Sequence, residues 1–361
     1  MGYWLWVIAL LSCCLTAAGQ QLTVVELNVE NLFDTQHDTL KNDYEFLPKG
    51  SYRWTRTRYW RKLNRVGQTI IAAGEEAPSQ PPPKGGGEGA PTQSNLTPNP
   101  SPKGEGDFNG KDSWREEWML PDLVGLCEVE NDTCLRDLTK RSLLRKARYE
   151  YVMTDSPDQR GIDVALLYSP FSFQMLSSYA LRIEPLKDMR PTRDILYACG
   201  QLISGDTLHV FVIHAPSRSG GEHATRPNRR LVAERLCGAV DSIRAISPDA
   251  YMLLMGDFND YADSPALRLL EQHGLVNVSK GAHGSNGAKG TYRYQGDWGS
   301  LDQILLSESF AERNHSCVIY DAPFLLEEDK KYGGVKPRRN YLGPRYLNGF
   351  SDHLPLVLNI N

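Results

Sequence analysis

The order of apolar and polar residues along the chain predicts mainly β-strands, with a few amphipathic helices between them. Alternation or short β-branched runs predict strands at residues 21–29, 123–129, 149–154, 162–168, 173–183, 195–203, 207–214, 251–255, 301–306, 317–320 and 354–360. Helical spacing predicts helices at residues 58–73, 133–148 and 224–246. Because strands outnumber helices and the two do not alternate strictly, the pattern favours two packed sheets with helices outside.

One segment breaks this pattern. Residues 75–112 are rich in proline and glycine and have too few apolar residues to bury a core. Strand-like sequence resumes directly afterwards, and too few residues precede the segment for an independent domain. We therefore predict one domain at residues 20–361, with a disordered insertion in a surface loop at about 75–112, over the alternative of a domain linker.

The extreme N-terminus has a short apolar run, residues 3–15, followed by small residues. The run is too short to span a bilayer, so it predicts a secretory signal at residues 1–19 and no transmembrane helix. Ser12 and Cys13 also fit a lipoprotein-type cleavage site, which would leave a lipid anchor. We expect a secreted or periplasmic protein, with anchorage at the membrane surface as the alternative.

Composition narrows the class of protein. The 361 residues are 40% hydrophobic and 23% charged, which suits a globular protein with a large core. The net charge of −4 provides no global basic field for attracting nucleic acid. Five cysteines follow the apolar N-terminal run, and they show no zinc-type spacing, so neither a zinc site nor a disulfide framework is expected.

Carboxylates and amides stand at the ends of several apolar strands. Asp257 and Asn259 are two residues apart at such an end, and Asn28 and Glu30 repeat this spacing. Residues i and i+2 of a strand face the same side, so each pair can converge on one point. Glu128 ends a third apolar strand. Oxygen ligands without cysteine or clustered histidine favour Mg²⁺ or Mn²⁺ over Zn²⁺.

Two histidines adjoin strands and have candidate carboxylate partners. His353 follows Asp352, and Asp302 opens another strand from which it could fix the tautomer of His353. His214 ends a strand, and Asp163 lies within an apolar strand where a polar side chain needs a partner. A pair of His214 with Asp163 would satisfy both.

Basic and aromatic residues surround these positions in the sequence. Arg160, and Arg218 in a Gly/Ser-rich loop, could donate to phosphate oxygens. Tyr292, Tyr294 and Trp298 could stack on a base or enclose a leaving group. Each motif alone also fits an ordinary turn or half-buried packing, and only their co-occurrence indicates a phosphate site.

In combination, these motifs resemble the endonuclease/exonuclease/phosphatase superfamily, which has the fold of pancreatic DNase and the AP endonucleases. The matching motifs are Leu27-Asn28-Val29-Glu30-Asn31, Glu128, Gly161-Ile162-Asp163, His214, Gly256-Asp257-Phe258-Asn259, Leu301-Asp302-Gln303 and Ser351-Asp352-His353. The resemblance runs from about residue 21 to residue 361 apart from the insertion. It implies an α/β, four-layer sandwich of two mixed β-sheets flanked by helices, with the site on strand-end loops.

The resemblance also implies a metal site. Glu128 would be the principal ligand of Mg²⁺ or Mn²⁺, with Asn28 and Glu30 nearby and Asp352 beside the metal. Many relatives carry aspartate where this chain has Glu30. The longer side chain could shift the metal or add a second site.

The resemblance implies catalytic roles as well. Asp257 and Asn259 would orient the nucleophilic water or the phosphate, with Asn259 as a phosphate contact. His353, held by Asp302, would be the general base or a phosphate contact. His214 matches the DNase and sphingomyelinase-like branches, and which histidine is acid and which is base stays open.

The activity implied is metal-dependent hydrolysis of phosphodiester bonds by a monomer, with a nuclease as the first expectation. The substrate is expected to be nucleic acid or a small or lipid phosphoester. The alternatives are a phosphomonoesterase or a sphingomyelinase-like phospholipase using the same site. A non-catalytic binding protein on this fold would require losses among the site residues, and each is present.

Overall fold

The computed structural model describes residues 21–75 and 120–361. The predicted signal at residues 1–19 and the predicted insertion beyond its first residue lie outside the described residues. Within those two ranges, no helix is both long enough and apolar enough to cross a bilayer.

The described part of the chain contains two six-stranded mixed sheets. In spatial order, the first sheet consists of β13 (His315–Ile319), β18 (Leu356–Ile360), β1 (Leu22–Leu32), β2 (Leu123–Val129), β4 (Asp163–Tyr168) and β3 (Glu150–Met153). The second consists of β5 (Phe173–Leu181), β6 (Ile195–Leu202), β7 (Thr207–His214), β8 (Tyr251–Asp257), β12 (Asp302–Ser307) and β9 (Leu275–Asn277). Each sheet has one parallel pair, β1 with β2 and β7 with β8.

Three short hairpins extend from the sheets. They pair β10 (Tyr292–Tyr294) with β11 (Asp297–Gly299), β14 (Leu326–Glu328) with β15 (Val335–Pro337), and β16 (Tyr341–Leu342) with β17 (Arg345–Tyr346). The first of these hairpins adjoins the functional residues, because Tyr292 forms an isolated antiparallel bridge with His353.

Strand alternation sorts the core into two compartments. In β7, Val210 and Val212 belong to the core that the two sheets share, whereas Phe211 and Ile213 belong to the core beneath the helices of the second sheet. Successive strand side chains point to opposite faces, so one strand supplies both compartments.

Helices cover the outer faces of both sheets. The described helices are α1 (Arg56–Glu75), α2 (Asp132–Lys140), α3 (Glu222–Ile246), α4 (Pro265–Gln272) and α5 (Glu308–Ala311), with 3₁₀ turns at Tyr44–Phe46, Leu143–Lys146 and Pro323–Leu325. Helix α1 packs Leu63 and Ile70 against the first sheet, and α3 packs Leu236 and Val240 against the second. The four-layer sandwich predicted from the sequence is confirmed.

The structure differs from the helical predictions at α2 and α4. The helix predicted at 133–148 ends at Lys140, because the Asp137 carbonyl accepts from Ser142 N and the Ser142 hydroxyl then caps Leu144 N at 3.1 Å. Helix α4 was not predicted. Its start signal was present in the sequence, since the Ser264 side chain caps the helix by accepting from Leu267 N.

Candidate active site

The parallel pair in the second sheet brings a histidine and an aspartate to one rim. His214 and Asp257 are register partners at the ends of β7 and β8, with His214 Nε2 3.6 Å from Asp257 Oδ2. Gly256, which has a φ of 144°, precedes the aspartate, and a Cβ there would lie 1.9 Å from the Ile213 carbonyl oxygen. Only glycine allows this approach of the two strands.

The parallel pair in the first sheet meets the same rim from the opposite side. The Asn28 amide at β1 donates to Asp257 Oδ2 at 3.1 Å. Glu128 at β2 places Oε1 3.9 Å from His214 Nε2, while its Oε2 accepts from Asn31 N at 2.9 Å. The strand-end residues predicted from the sequence therefore converge from both sheets.

Unusual backbone conformations make this convergence possible. Glu30, Asn31, Glu128 and Asn259 all have positive φ, between 49° and 68°. Such conformations in non-glycine residues cost about 1–3 kcal/mol each and persist where the surrounding structure enforces them. Here they occur where β1, β2 and β8 end, and the β1–β2 register shifts at the same place. The strain therefore lies at the residues that line the rim.

A buried imidazole–carboxylate pair stands beside these groups. His353 Nδ1 is 2.7 Å from Asp302 Oδ2, and both side chains are buried, as the sequence predicted for a His–Asp pair. Asp302 is also the register partner of Asp257 across β12 and β8. Ser351 fixes the approach of the histidine, because its hydroxyl donates to the Asn28 carbonyl at 2.6 Å.

A cleft of about 1260 Å³ opens over these groups. The predicted residues Glu128, His214, Asp257, Asn259, Asp352, His353, Arg160, Arg218, Tyr292 and Tyr294 line it. The Arg218 guanidinium lies 4.4 Å from the centre of the Tyr261 ring, another lining residue. The predicted Trp298 is not among the lining residues, and the guanidinium of Arg293 lies over its ring at 5.5 Å.

Comparison with known proteins identifies the family. The sequence model of the Endonuclease/Exonuclease/phosphatase family matches residues 23–81 and 115–361. The chain belongs to this family. Its members are phosphoester hydrolases and generally depend on a divalent metal. The interruption of the match, residues 82–114, overlaps most of the segment at about 75–112 where the sequence predicts an insertion. Among curated proteins, none matches this sequence.

Solved structures share the fold of this hydrolase at low sequence identity. An endonuclease/exonuclease/phosphatase from Bacteroides vulgatus has a TM-score of 0.55 at 16% identity, covering 95% of this chain and 99% of that one. The mannosyl-6-phosphatase of Bacteroides thetaiotaomicron has 0.54 at 13%, covering 93% and 98%. A truncated TDP2 from Caenorhabditis elegans has 0.51 at 15%, covering 95% and 98%. These likenesses show the fold.

The two histidines of the hydrolase differ in their affinity for protons. Burial lowers the pKa of His353, but the hydrogen-bonded Asp302 carboxylate together with the charges of Asp257 and Asp352 outweighs burial and raises the pKa well above its usual range. Burial, followed by the charges of Arg193 and Arg160, holds the pKa of His214 well below its usual range. His353 therefore carries a charge at neutral pH, whereas His214 is a neutral imidazole.

The predicted pairing of Asp163 with His214 is wrong. The Asp163 carboxylate accepts from Thr154 Oγ1 at 2.5 Å and from Ser156 N at 3.1 Å, so residues just after the neighbouring strand β3 satisfy it locally. His214 Nδ1 has no hydrogen-bond partner in the described part of the chain. Its backbone carbonyl instead accepts from Arg193 at 3.2 Å, a residue that the sequence analysis missed.

Two predicted metal ligands are engaged by a segment near the C-terminus. The Glu30 carboxylate accepts from Asn340 N at 2.5 Å and from Tyr341 N at 3.0 Å. Asp352 Oδ2 accepts from Arg339 Nη2 at 2.9 Å. Both carboxylates thus already have protein donors, because residues 339–341 fold back over the end of β1.

The remaining ligand set fits a divalent cation. The Glu128 side chain reaches the cleft, and its Oε1 and Asp257 Oδ2 both lie within 4 Å of one neutral imidazole nitrogen. Burial and the adjacent Asp302 charge raise the pKa of Asp257 to about 7. Asp257, Asp302 and His353 also place ligand-type atoms within 4.8 Å of one another, but Asp302 is engaged with the imidazole.

Sequence analysis missed a buried acid behind the site. Glu26 in β1 is fully buried, and neither of its carboxyl oxygens has a hydrogen-bond partner among the described residues. Burial, followed by the charges of Asp302 and Asp257, raises its pKa well above the ordinary value of 4.5. Its sequence signal was a single charge inside an apolar run.

Replacing Glu26 with glutamine should change how stability depends on pH. A raised carboxyl pKa means that the folded state keeps a proton that the unfolded chain loses above 4.5, so stability falls as pH rises through this window. The slope reaches about 1.4 kcal/mol per pH unit. The Glu26→Gln variant lacks this loss, so its advantage over the unchanged protein should grow with pH in denaturant unfolding.

The exposed Glu312→Gln substitution is the matched control and should show no such trend. An advantage of Glu26→Gln that is the same at about pH 5 and about pH 8 would contradict a protonated Glu26.

Proposed function

We propose that this family member is a divalent-metal-dependent phosphodiesterase, with nucleic acid as the first substrate class. The main support for this proposal is that His353, which is hydrogen-bonded to Asp302, lies in the same cleft as Asp257, Asn259 and Glu128. The volume of about 1260 Å³ exceeds the roughly 300–1,000 Å³ of ordinary small-ligand sites, which leaves room for groups on both sides of a phosphate.

The attacking water is oriented by Asp257 and Asn259. Asn259 N donates to Asp257 Oδ1 at 2.8 Å, and the Asn28 amide donates to its Oδ2, so the carboxylate is fixed in one orientation. With a pKa near 7, Asp257 can take a proton from water at neutral pH. A divalent ion held by Glu128 would neutralise charge developing on the phosphoryl oxygens.

The imidazoles donate to the phosphate in different charge states. The His353 imidazolium keeps one N–H on Asp302 and offers the other to a phosphoryl or leaving-group oxygen in the cleft. His214 contributes a neutral imidazole, with its Nε2 3.9 Å from Glu128 Oε1 and 3.6 Å from Asp257 Oδ2. Arg160 and Arg218 provide charged donors farther along the cleft.

The second candidate is a phosphomonoesterase acting on a sugar phosphate. Asp188, Asp297 and Asn228 also line the cleft, and they suit sugar hydroxyls better than a long polyanion. A mannosyl-6-phosphatase shares the fold. A sphingomyelinase-like activity stays the third candidate.

We further propose that residues 1–19 direct secretion or export to the periplasm, with lipid anchorage as the alternative. The remaining chain would act as a monomeric catalytic domain, with a surface insertion at about 75–112. The interruption of the family match between residues 81 and 115 supports the insertion.

Purified protein should nick supercoiled plasmid in the presence of Mg²⁺ or Mn²⁺, and EDTA should abolish nicking. The same preparation is assayed against sugar phosphates, nucleotides and sphingomyelin vesicles. If the plasmid stays intact and phosphate is released from monoesters, the protein is a phosphomonoesterase, the second candidate. Absence of metal-dependent turnover on every substrate would refute the proposal.

His353→Ala should reduce turnover by about 10²–10⁴-fold, because it removes the positioned proton donor. Circular dichroism and thermal melting should show an intact fold. The control, His273→Ala, changes a histidine that does not line the cleft and should retain full turnover. Near-normal turnover by His353→Ala would remove this residue from the mechanism.

A further inference from the structure

Two protein cations lie within the acidic side of the active site. Lys62 on α1 is 1% exposed, and its ammonium donates to the Phe350 carbonyl. Burial lowers the pKa of Lys62 to about 8, and the charges of Glu30, Asp352 and Glu128 oppose this effect. A lysine with so little exposure requires nearby negative charge, and here that charge comes from predicted metal ligands.

The second cation, Arg339, joins the same two carboxylates. Its Nη2 lies 2.9 Å from Asp352 Oδ2, and its Nε lies 3.6 Å from Glu30 Oε1. Glu30 also accepts the backbone N–H groups of Asn340 and Tyr341. The carboxylates of Glu30 and Asp352 are therefore matched by one guanidinium and two backbone amides.

Glu128 and Asp257 have a different environment. Their shared neighbour is the uncharged His214, and their hydrogen bonds come from the amide of Asn28 and from backbone or amide groups of neighbouring residues. Glu30 and Asp352 thus have an arginine within 4 Å. Among the described residues, no lysine or arginine lies within 4 Å of Glu128 or Asp257.

We propose that Arg339 takes the place of a second metal ion, so that the hydrolase binds one divalent ion per chain, at Glu128. Two-metal phosphoesterase sites hold their ions about 3.5–4 Å apart, and bound cations need carboxylates left free by the protein. Glu30 and Asp352 are instead positioning residues, which anchor residues 339–353 and with them His353. This inference rests on the proposed metal dependence.

The stoichiometry of Mn²⁺ binding tests the inference without reference to activity. Equilibrium dialysis of the full chain, with free Mn²⁺ measured by electron paramagnetic resonance, should give one bound ion at saturation. Glu30→Gln should keep one ion, whereas Glu128→Gln should weaken binding by more than about tenfold.

The Arg339→Met variant tests whether a second metal-binding site can be created. Removal of the guanidinium leaves the Glu30 and Asp352 carboxylates undercompensated, so this variant should bind a second, weaker Mn²⁺. Arg339→Lys, which keeps the charge, should stay at one ion. A merely structural role for Arg339 would not create a metal site.

The outcomes separate the inference from the proposed function. Two ions bound by the unchanged protein, one of them lost in Glu30→Gln, would overturn the inference and leave metal-dependent hydrolysis intact. A single ion in a folded Arg339→Met variant would also overturn it. Absence of Mn²⁺ binding, or binding unaffected by Glu128→Gln, would overturn the proposed metal dependence and the inference together.

Discussion

The structure depends on one electrostatic constraint, which is that several carboxyl groups are buried close together where the two sheets meet. Asp257 and Asp302 are register partners on adjacent strands, and Glu26 approaches them from the opposite sheet. Repulsion in such a place must be relieved by protonation, by ion pairing or by a bound cation. The charged His353, the raised pKa of Asp257 and the proposed cation site at Glu128 are three responses to this constraint.

The fold sustains this arrangement through its two parallel strand pairs. The carboxyl ends of parallel neighbours lie at the same edge, so β1 with β2 carries Asn28 and Glu128 together, and β7 with β8 carries His214 and Asp257. Apolar packing between the sheets then holds the two edges against each other. Stability of the core and chemistry at the rim are consequently linked through the same four strands.

The sequence was most informative where a polar residue ended an apolar strand, as at Asp257, because strand direction and the two-residue period fix its location. It was least informative where a long-range contact determined the role of a side chain. Asp163 accepts hydrogen bonds from residues just after the adjacent strand β3 and not from His214. In the sequence, Glu26 looks like an outward-facing strand residue, but it is buried. Neither Lys62 nor Arg339 was predicted to be a site residue, because a basic residue on a helix or in a loop is usually solvated.

Thermal unfolding during a Mg²⁺ titration tests most directly whether the rim requires a cation. An ion that binds only the folded state stabilises it by about 2.7 kcal/mol at a concentration one hundred times its Kd. The Tm of the unchanged protein should therefore rise with Mg²⁺, and the Tm of Glu128→Gln should rise much less at the same Mg²⁺ concentrations. A Tm that does not respond to Mg²⁺, or that rises equally in both proteins, would contradict a cation site at Glu128.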